Sequence, residues 1–390
     1  MTPKDLGMIR RRLNPDKRGP VMLQGCYLNA QGEILSTFHQ SVGLLPQEEN
    51  EKYMALFKKV LSGTAGQNLL PVTFSEEQMA SDDAYALLAQ MCRTELQEDQ
   101  SLRAFFSQIV QYLREENASA SMSVEELQKA PNVAVLLLYD SFDAPYVHSD
   151  GEEDMEMSEN VFNYILCCVC PVHQGKESLS YQDSDGCFHS LPAPWSLGAP
   201  ELGFMFPSYE SGSADIHAAQ FYTRNVSLSH EAFFRAVFHA EVTMPAEEQK
   251  ETVRTLLSSS LDDECSMSVI QAVSEKVSEM IEENRQEKDA EPLQMSCRDM
   301  RRVLESAGVS EEKVQAFENQ YTEVFGTQAE IPAVNVVSPK EFRVSTPSVQ
   351  IRVSPDHAEL VSTRVIDGKK YILVLADGDV EVNGVNVAIL

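Results

Sequence analysis

The apolar positions of this chain change period several times, and each change marks a boundary. Between residues 53 and 113 they recur at three and four. Tyr53, Leu56, Phe57, Val60 and Leu61 make one stripe; Leu102, Phe105, Phe106, Ile109, Tyr112 and Leu113 make another. That spacing predicts amphipathic helices. Ser75 with Gln78, and Ser123 with Glu126, have the spacing of capping boxes. The period then shortens. Asn132 to Tyr139 and Val161 to Val172 are dense apolar runs, which predict central strands near 133–139 and 161–172, buried on both faces. From Glu231 the helical period returns, through Phe233, Phe234, Val237 and Phe238. It continues through Val253, Leu256, Leu257 and Leu261, then Val269, Val273, Val277 and Ile281, and last Val314, Phe317 and Tyr321.

Alternation of period two frames these helices. Cys26 to Leu28 and Ile34 to Phe38 flank Asn29-Ala30-Gln31-Gly32, a hairpin pattern. Near the C-terminus, Val349, Ile351 and Val353 alternate with polar residues. Arg364-Val365-Ile366 meets Asp367-Gly368 and resumes as Lys369 to Leu375, and Val380 to Val382 meets Asn383-Gly384 and returns as Val385 to Val387. Asp-Gly and Asn-Gly between alternating runs predict hairpins, because a type I′ turn needs positive φ at both central residues. Residues 173–215, rich in Pro, Gly and Ser, read as loops with short strands around Leu202 to Phe206. Residues 326–340 read as a linker. The fold class is therefore α+β: an α/β body over 1–244, a helical segment over 245–328, and a linker with a C-terminal β-hairpin module over 329–390.

Composition narrows the function classes. The 390 residues are 43% hydrophobic and 23% charged, enough apolar content for a sizeable core. The formal net charge is −29, a field that repels nucleic acid and anionic membranes at long range. The longest apolar run, Val133 to Tyr139, is too short to span a bilayer, and no secretory leader is visible. Eight cysteines, three of them at 167, 168 and 170, suit a reducing compartment. The expected location is the cytoplasm.

Candidate chemistry is sparse. Cys167 and Cys170, with His173 and Cys187 beyond, can be written as a zinc site. On a strand, however, Cys167 and Cys170 face opposite ways, so the expectation is buried thiols and no metal or cofactor. The acidic stretch Asp150 to Glu159 fails as an EF-hand, with Met155 where Gly is needed and Val161 where Glu is needed. Leu61 to Asn68 lacks the Lys-Ser/Thr of a P-loop. His217, His230 and His239 fall in predicted helices. Residues 1–18 hold six basic side chains against two acidic ones. Arg10, Arg11, Arg12, Lys17 and Arg18 are thus the candidate phosphate contacts, against the plainer reading of a solvated helix.

Several stretches together carry a resemblance. They are Ile9-Arg10-Arg11-Arg12 with Pro15-Asp16-Lys17, Gly25-Cys26-Tyr27, Gly43-Leu44-Leu45-Pro46, Tyr164 to Pro171, Ala199 to Phe204 and Val365 to Gly368. Over nearly its full length the chain resembles an uncharacterised bacterial family, a serially numbered domain of unknown function, which implies no activity. In order of elements it also resembles, more distantly, the nucleoid-associated family that binds chromosomal DNA. Val133 to Tyr139, Phe162 to Val172, Phe233 to Phe238, Ala246 to Leu261 and Val349 to Val387 correspond, while 173–220 is longer here. The second resemblance implies a non-catalytic, cytoplasmic or nucleoid protein that binds DNA without sequence preference. The alternative is an acidic interaction or scaffold protein with a protein partner and no nucleic-acid role. The stripes at 266–282 and 310–325 suggest a homodimer. No sequence motif supplies an enzyme's nucleophile, base and orienting group.

Overall fold

The computed structural model describes residues 1–390 apart from 15–21, 121–122, 124–125, 127–129, 145, 148–152, 155–159, 176–177, 183, 185, 192–193, 211–212, 241–243, 287–290, 328, 339–340, 377, 379, 383–384 and 389–390. Its described residues form an α+β fold in two units, Met1–Pro245 and Ala246–Leu390. Lys17, Arg18, most of the acidic 150–159 stretch and the Asn383-Gly384 turn lie outside the described residues.

The first unit is organised by its two dense apolar runs. They form long strands, β4 (Asn132–Ala144) and β5 (Asn160–Gln174), paired antiparallel from Asn132↔Val172 to Ala144↔Asn160. Around them lie β1 (Met22–Leu28), β2 (Ile34–Ser41), β3 (Leu69–Thr73), β6 (Trp195–Leu197), β7 (Leu202–Phe206) and β8 (Ala218–Thr223). The sheet runs β2-β1-β4-β5-β7-β8-β3, with β6 also on β5, and the neighbours are antiparallel. Dense apolar runs are usual in parallel sheets. They occur in this antiparallel one because helices cover both faces.

Alternation along the central strands sends side chains into two cores. Val135, Leu137, Tyr139, Ile165, Cys167 and Val169 face the first, with α4 (Asp83–Arg93), α5 (Asp99–Ser119) and residues 231–238. Leu136, Leu138, Tyr164, Leu166, Cys168 and Cys170 face the second, with α1 (Pro3–Arg12) and α2 (Gln47–Val60). A short α3 (Glu76–Ser81) opens on the Ser75–Gln78 capping box. The 231–238 stripe is one helical turn followed by a π-helix over Phe234–Phe238. All of its side chains from Ala232 to Phe238 except Arg235 are buried, because sheet and helices enclose it on several sides.

In the second unit, α6 (Ala246–Leu261), α7 (Met267–Gln286), α8 (Cys297–Ser306) and α9 (Glu311–Phe325) enclose a third core. The apolar stripes of α7 and α9 both lie within it, through Val273, Val277 and Ile281 on one and Val314, Phe317 and Tyr321 on the other. Arg301 joins Glu305, Glu311 and Glu318 at 2.7, 2.6 and 2.9 Å. The stretch read as a linker contains a strand, Glu330–Pro332, paired with Gln294–Ser296, and a helical turn, Ala333–Val336. Gln271 Nε2 donates to the carbonyls of Ala358 and Val361 at 2.7 and 2.9 Å, tying the hairpins that follow to α7. In the hairpin Val361–Ile366/Lys369–Val374, Asp367 and Gly368 have φ of 50° and 73°, the positive pair a type I′ turn requires.

Two strands had no clear sequence signal. β3 contains Pro71, which lacks a ladder donor and is tolerated because β3 is a sheet edge. β8 is a fully buried six-residue strand hidden in a Gly- and Ser-rich neighbourhood.

Gly203 on β7 sets the distance between sheet and α2. A Cβ there would lie 2.2 Å from the Cys167 carbonyl oxygen and 2.9 Å from Val60 Cγ2. Gly203→Ala is expected to destabilise the first unit by about 1–3 kcal/mol, the usual cost of overpacking. Gly7→Ala, in mid-α1 with nothing within 4 Å of the new carbon, is expected to stabilise it by about 0.5–1 kcal/mol. Urea unfolding midpoints measure both; equal midpoints for the two variants would refute the packing account.

Candidate functional site

The basic N-terminus is placed by one buried carboxylate. Asp140 ends the apolar run of β4 and has no exposed surface. Arg12 Nε and Nη2 donate to its two oxygens at 2.7 and 2.9 Å, and Nη2 also donates to the Ser141 carbonyl at 3.2 Å. Tyr164 on β5 donates its hydroxyl to the same carboxylate at 2.8 Å. The Arg12 guanidinium lies 4.4 Å above the Phe142 ring, a cation–π contact. Burial pushes the Arg12 pKa down, but the hydrogen bond and charge of Asp140 outweigh it and hold the guanidinium above its ordinary value. Arg12 therefore serves the fold.

The other sequence candidates fall differently. Arg10 and Arg11 sit in the last turn of α1, each donating Nε at 3.2 Å to a carbonyl of its own helix, Leu6 and Gly7. Lys58, near the end of α2, donates to Asn14 Oδ1 at 2.5 Å, so the basic C-terminal ends of α1 and α2 adjoin. Lys17 and Arg18 are not described. Asp140 was missed in the sequence; its signal was an acid directly after an uninterrupted apolar strand.

The cysteines sit as the alternation argued. Cys167 faces the first core, while Cys168 and Cys170 face the second. Burial raises the thiols of Cys167 and Cys168 well above their ordinary value and that of Cys170 to about 12. Such thiols are protonated and poor nucleophiles. His173 lies at the far end of β5, and Cys187 is exposed on a separate hairpin, Ser178–Gln182/Cys187–Leu191. Among the described residues no group of three or more His, Cys, Asp or Glu side chains is placed to hold a metal ion.

The histidines correct their predicted helical positions. His217 lies in a turn. His230 and His239 flank the 231–238 segment in left-handed conformation, with φ of 54° and 48°. His239 Nδ1 meets Asp82 Oδ2 at 2.9 Å, while Asp82 Oδ1 accepts the amides of Ala84 and Tyr85 and caps α4. Burial raises the Asp82 carboxyl; the His239 bond and the two amides outweigh it and hold it below the usual value. Thr223 donates its hydroxyl to the Asn225 carbonyl and so accepts from His230 Nε2, at 2.9 Å each. Burial lowers His230 to about 4.

Among the described residues, two open surfaces bear on function. One is a groove of about 840 Å³ between the start of β2 and one face of α5, Ser107, Val110, Gln111, Arg114, Glu115 and Ala118. The other is the C-terminal hairpins. Val365 is 69% and Val385 63% exposed, and Ile366, Tyr371, Val374, Leu375 and Val387 are exposed as well.

Comparison with known proteins places the whole chain in one family. Residues 1–385 match the family described as a domain of unknown function, DUF4317. The chain belongs to that family. No curated protein and no solved structure matches it. No helix among the described residues of this DUF4317 member is long and apolar enough to cross a membrane.

Two outcomes follow from the buried charges. Arg12→Met leaves the Asp140 carboxylate without its cation and is expected to cost roughly 3–5 kcal/mol, with Asp140→Asn in the same chain recovering part of the loss; urea titration of the single and double variants measures this. His230 is neutral in the fold and protonates near 6.5 when unfolded. The unfolded chain therefore binds the extra proton between pH 6.5 and about 4, and stability falls as pH falls through that window. About 2 kcal/mol is lost between pH 7 and 5 through this group. His230→Gln should flatten that part of the pH dependence; an unchanged slope would show that the histidine is not its source.

Proposed function

We propose that this DUF4317 member is a non-catalytic interaction protein that engages a protein partner through its C-terminal hairpins. One observation carries the reading. In the hairpin Val361–Ile366/Lys369–Val374, Val365 and Val374 project from one face and Ile366 and Tyr371 from the other, by the alternation of the register, and all four are exposed. A two-stranded ribbon with apolar side chains bare on both faces is marginal alone. Exposed apolar patches of this kind mark interaction surfaces. Arg364, Lys369 and Lys370 on the same hairpin supply local positive charge on a chain of −29, which suits an acidic or neutral protein surface.

The competing reading is DNA binding at the basic end of α1. Arg10 and Arg11, with Lys58 and Lys59 at the adjoining end of α2, favour it. The engagement of Arg12 by Asp140 and the overall charge favour the interaction reading.

A photo-crosslinking amino acid placed at Val365 in the full chain, expressed in cells, is expected to give a discrete protein adduct, and one at exposed Glu279 on α7 to give none. Anisotropy titration with duplex DNA at about 50 mM salt is expected to show no binding. Binding with a log–log salt slope near −2, abolished by Arg10→Ala with Arg11→Ala, would replace this proposal with the nucleic-acid reading.

A further inference from the structure

The two edges of the main sheet are built in opposite ways. β3 is five residues long with Pro71 at its centre, and a proline cannot donate to an added strand. β2 is eight residues long, pairs with β1, and ends the sheet on its other side. Its sequence, Ile34-Leu35-Ser36-Thr37-Phe38-His39-Gln40-Ser41, holds no Lys, Arg, Asp, Glu or Pro, the residues that usually protect an edge from pairing. Seven of its eight residues are exposed, the exception being Phe38. Phe38 turns inward over Gly25, where a Cβ would lie 2.1 Å from the ring.

The open edge borders the groove. Ile34 begins β2 and lines the groove together with Val110 and Ala118 of α5 and the polar Glu33, Gln111 and Arg114. The turn at its head is fixed in place. Asn29 Oδ1 accepts the amides of Gln31 and Glu33 at 3.1 and 2.8 Å, and Asn117 on α5 donates to the Ala30 carbonyl at 2.8 Å. Strand edge and helix thus keep their spacing without a ligand.

The charges in the groove are unequal in their engagement. Glu33 accepts from Asn29 Nδ2 at 2.7 Å, and Glu115 pairs with Arg235 at 3.4 Å. Arg114 is exposed and has no hydrogen-bond or ion-pair partner among the described residues. Its guanidinium is the charge left to be complemented.

We infer that the outer edge of β2 and the groove beside α5 bind an extended peptide segment, which adds a strand to β2 and sets a carboxylate against Arg114. Backbone pairing supplies the affinity, and alternate side chains entering the groove supply selectivity, as in strand-addition complexes generally. An apolar side chain fits over Ile34 and Val110. A single carboxylate is favoured over an acidic run, because the chain's own field of −29 opposes added negative charge. This site lies in the first unit and does not depend on the C-terminal hairpins.

Panning a random heptapeptide display library on the full chain tests it. The peptides enriched are expected to alternate apolar residues with one acidic residue at a constant position. The best of them, as a capped synthetic peptide, should slow amide exchange over residues 34–41. Its affinity should fall about tenfold in Arg114→Glu and be regained when the acidic residue of the peptide is changed to Lys. Enriched peptides without a common acid, equal binding to Arg114→Glu, or no binders at all would overturn the inference. So would protection that appears at residues 361–387 instead, which would support the hairpin site alone. Protection of 34–41 that grows with protein concentration in the absence of peptide would assign the edge to a second copy of the chain, and would also overturn it.

Discussion

The carboxylate of Asp140 is the constraint around which the N-terminal unit is arranged. β4 and β5 run between two cores, and nearly every side chain along their middle must be apolar. Asp140 is the first charge on β4 after that run, and it is sealed from water. An ionised carboxylate in that position needs a cation and further hydrogen bonds. Tyr164 comes from the neighbouring strand, but the cation arrives from near the N-terminus, from Arg12 at the end of α1. That pairing fixes where α1 lies, and Leu6, Ile9 and Leu13 then close the second core over the sheet. The pair gives position and register to a helix whose apolar stripe alone could slide.

This explains why the basic N-terminus looked like a surface feature in the sequence. Three consecutive arginines on a short helix point in three directions, and sequence does not reveal which one meets a buried acid 128 residues away. The central strands, the helical stripes from Val253 onward and the Asp367-Gly368 turn were legible because each rests on local periodicity or local φ requirements. The opposite facing of Cys167 and Cys170 followed from strand period alone. β3 and β8 were not legible. β8 is apolar because it lies between β7 and β3, and β3 pairs with β8 alone among the described strands, contacts distant in sequence; Pro71 argues against a strand unless the edge position is known. The π-helix at 234–238 has the sequence of an ordinary stripe, because Phe233, Phe234, Val237 and Phe238 fit the helical period. The open groove beside α5 left little signal beyond an absence of charge in β2.

The charge of the chain acts at two ranges. Within a few ångströms many acidic groups are matched: Arg301 holds three glutamates in the helical unit, and Lys313 holds Asp262 and Asp263. These pairs fasten helix ends, but each leaves surplus carboxylate nearby, so the long-range field stays negative. A field of this sign lowers encounter rates with polyanions and raises them with basic surfaces. The places where it is locally reversed, the end of α1 and the Val361–Val374 hairpin, are therefore where an approaching acidic group meets least resistance.

The two units manage exposed backbone differently, and the difference bears on how contacts would be made. In the first unit one sheet edge is closed by sequence, through Pro71, while the other is left long and uncharged beside a helix that holds its turn in place. A rigid edge of this kind loses little entropy when a strand is added, so backbone pairing converts efficiently into affinity. The hairpins of the second unit are narrow ribbons, anchored near their base by Gln271 and the buried Ala358 and Val361. Their apolar side chains gain burial from association, but ordering the ribbon offsets part of that gain. The first arrangement suits selection of a short extended segment, and the second suits a broad apolar surface.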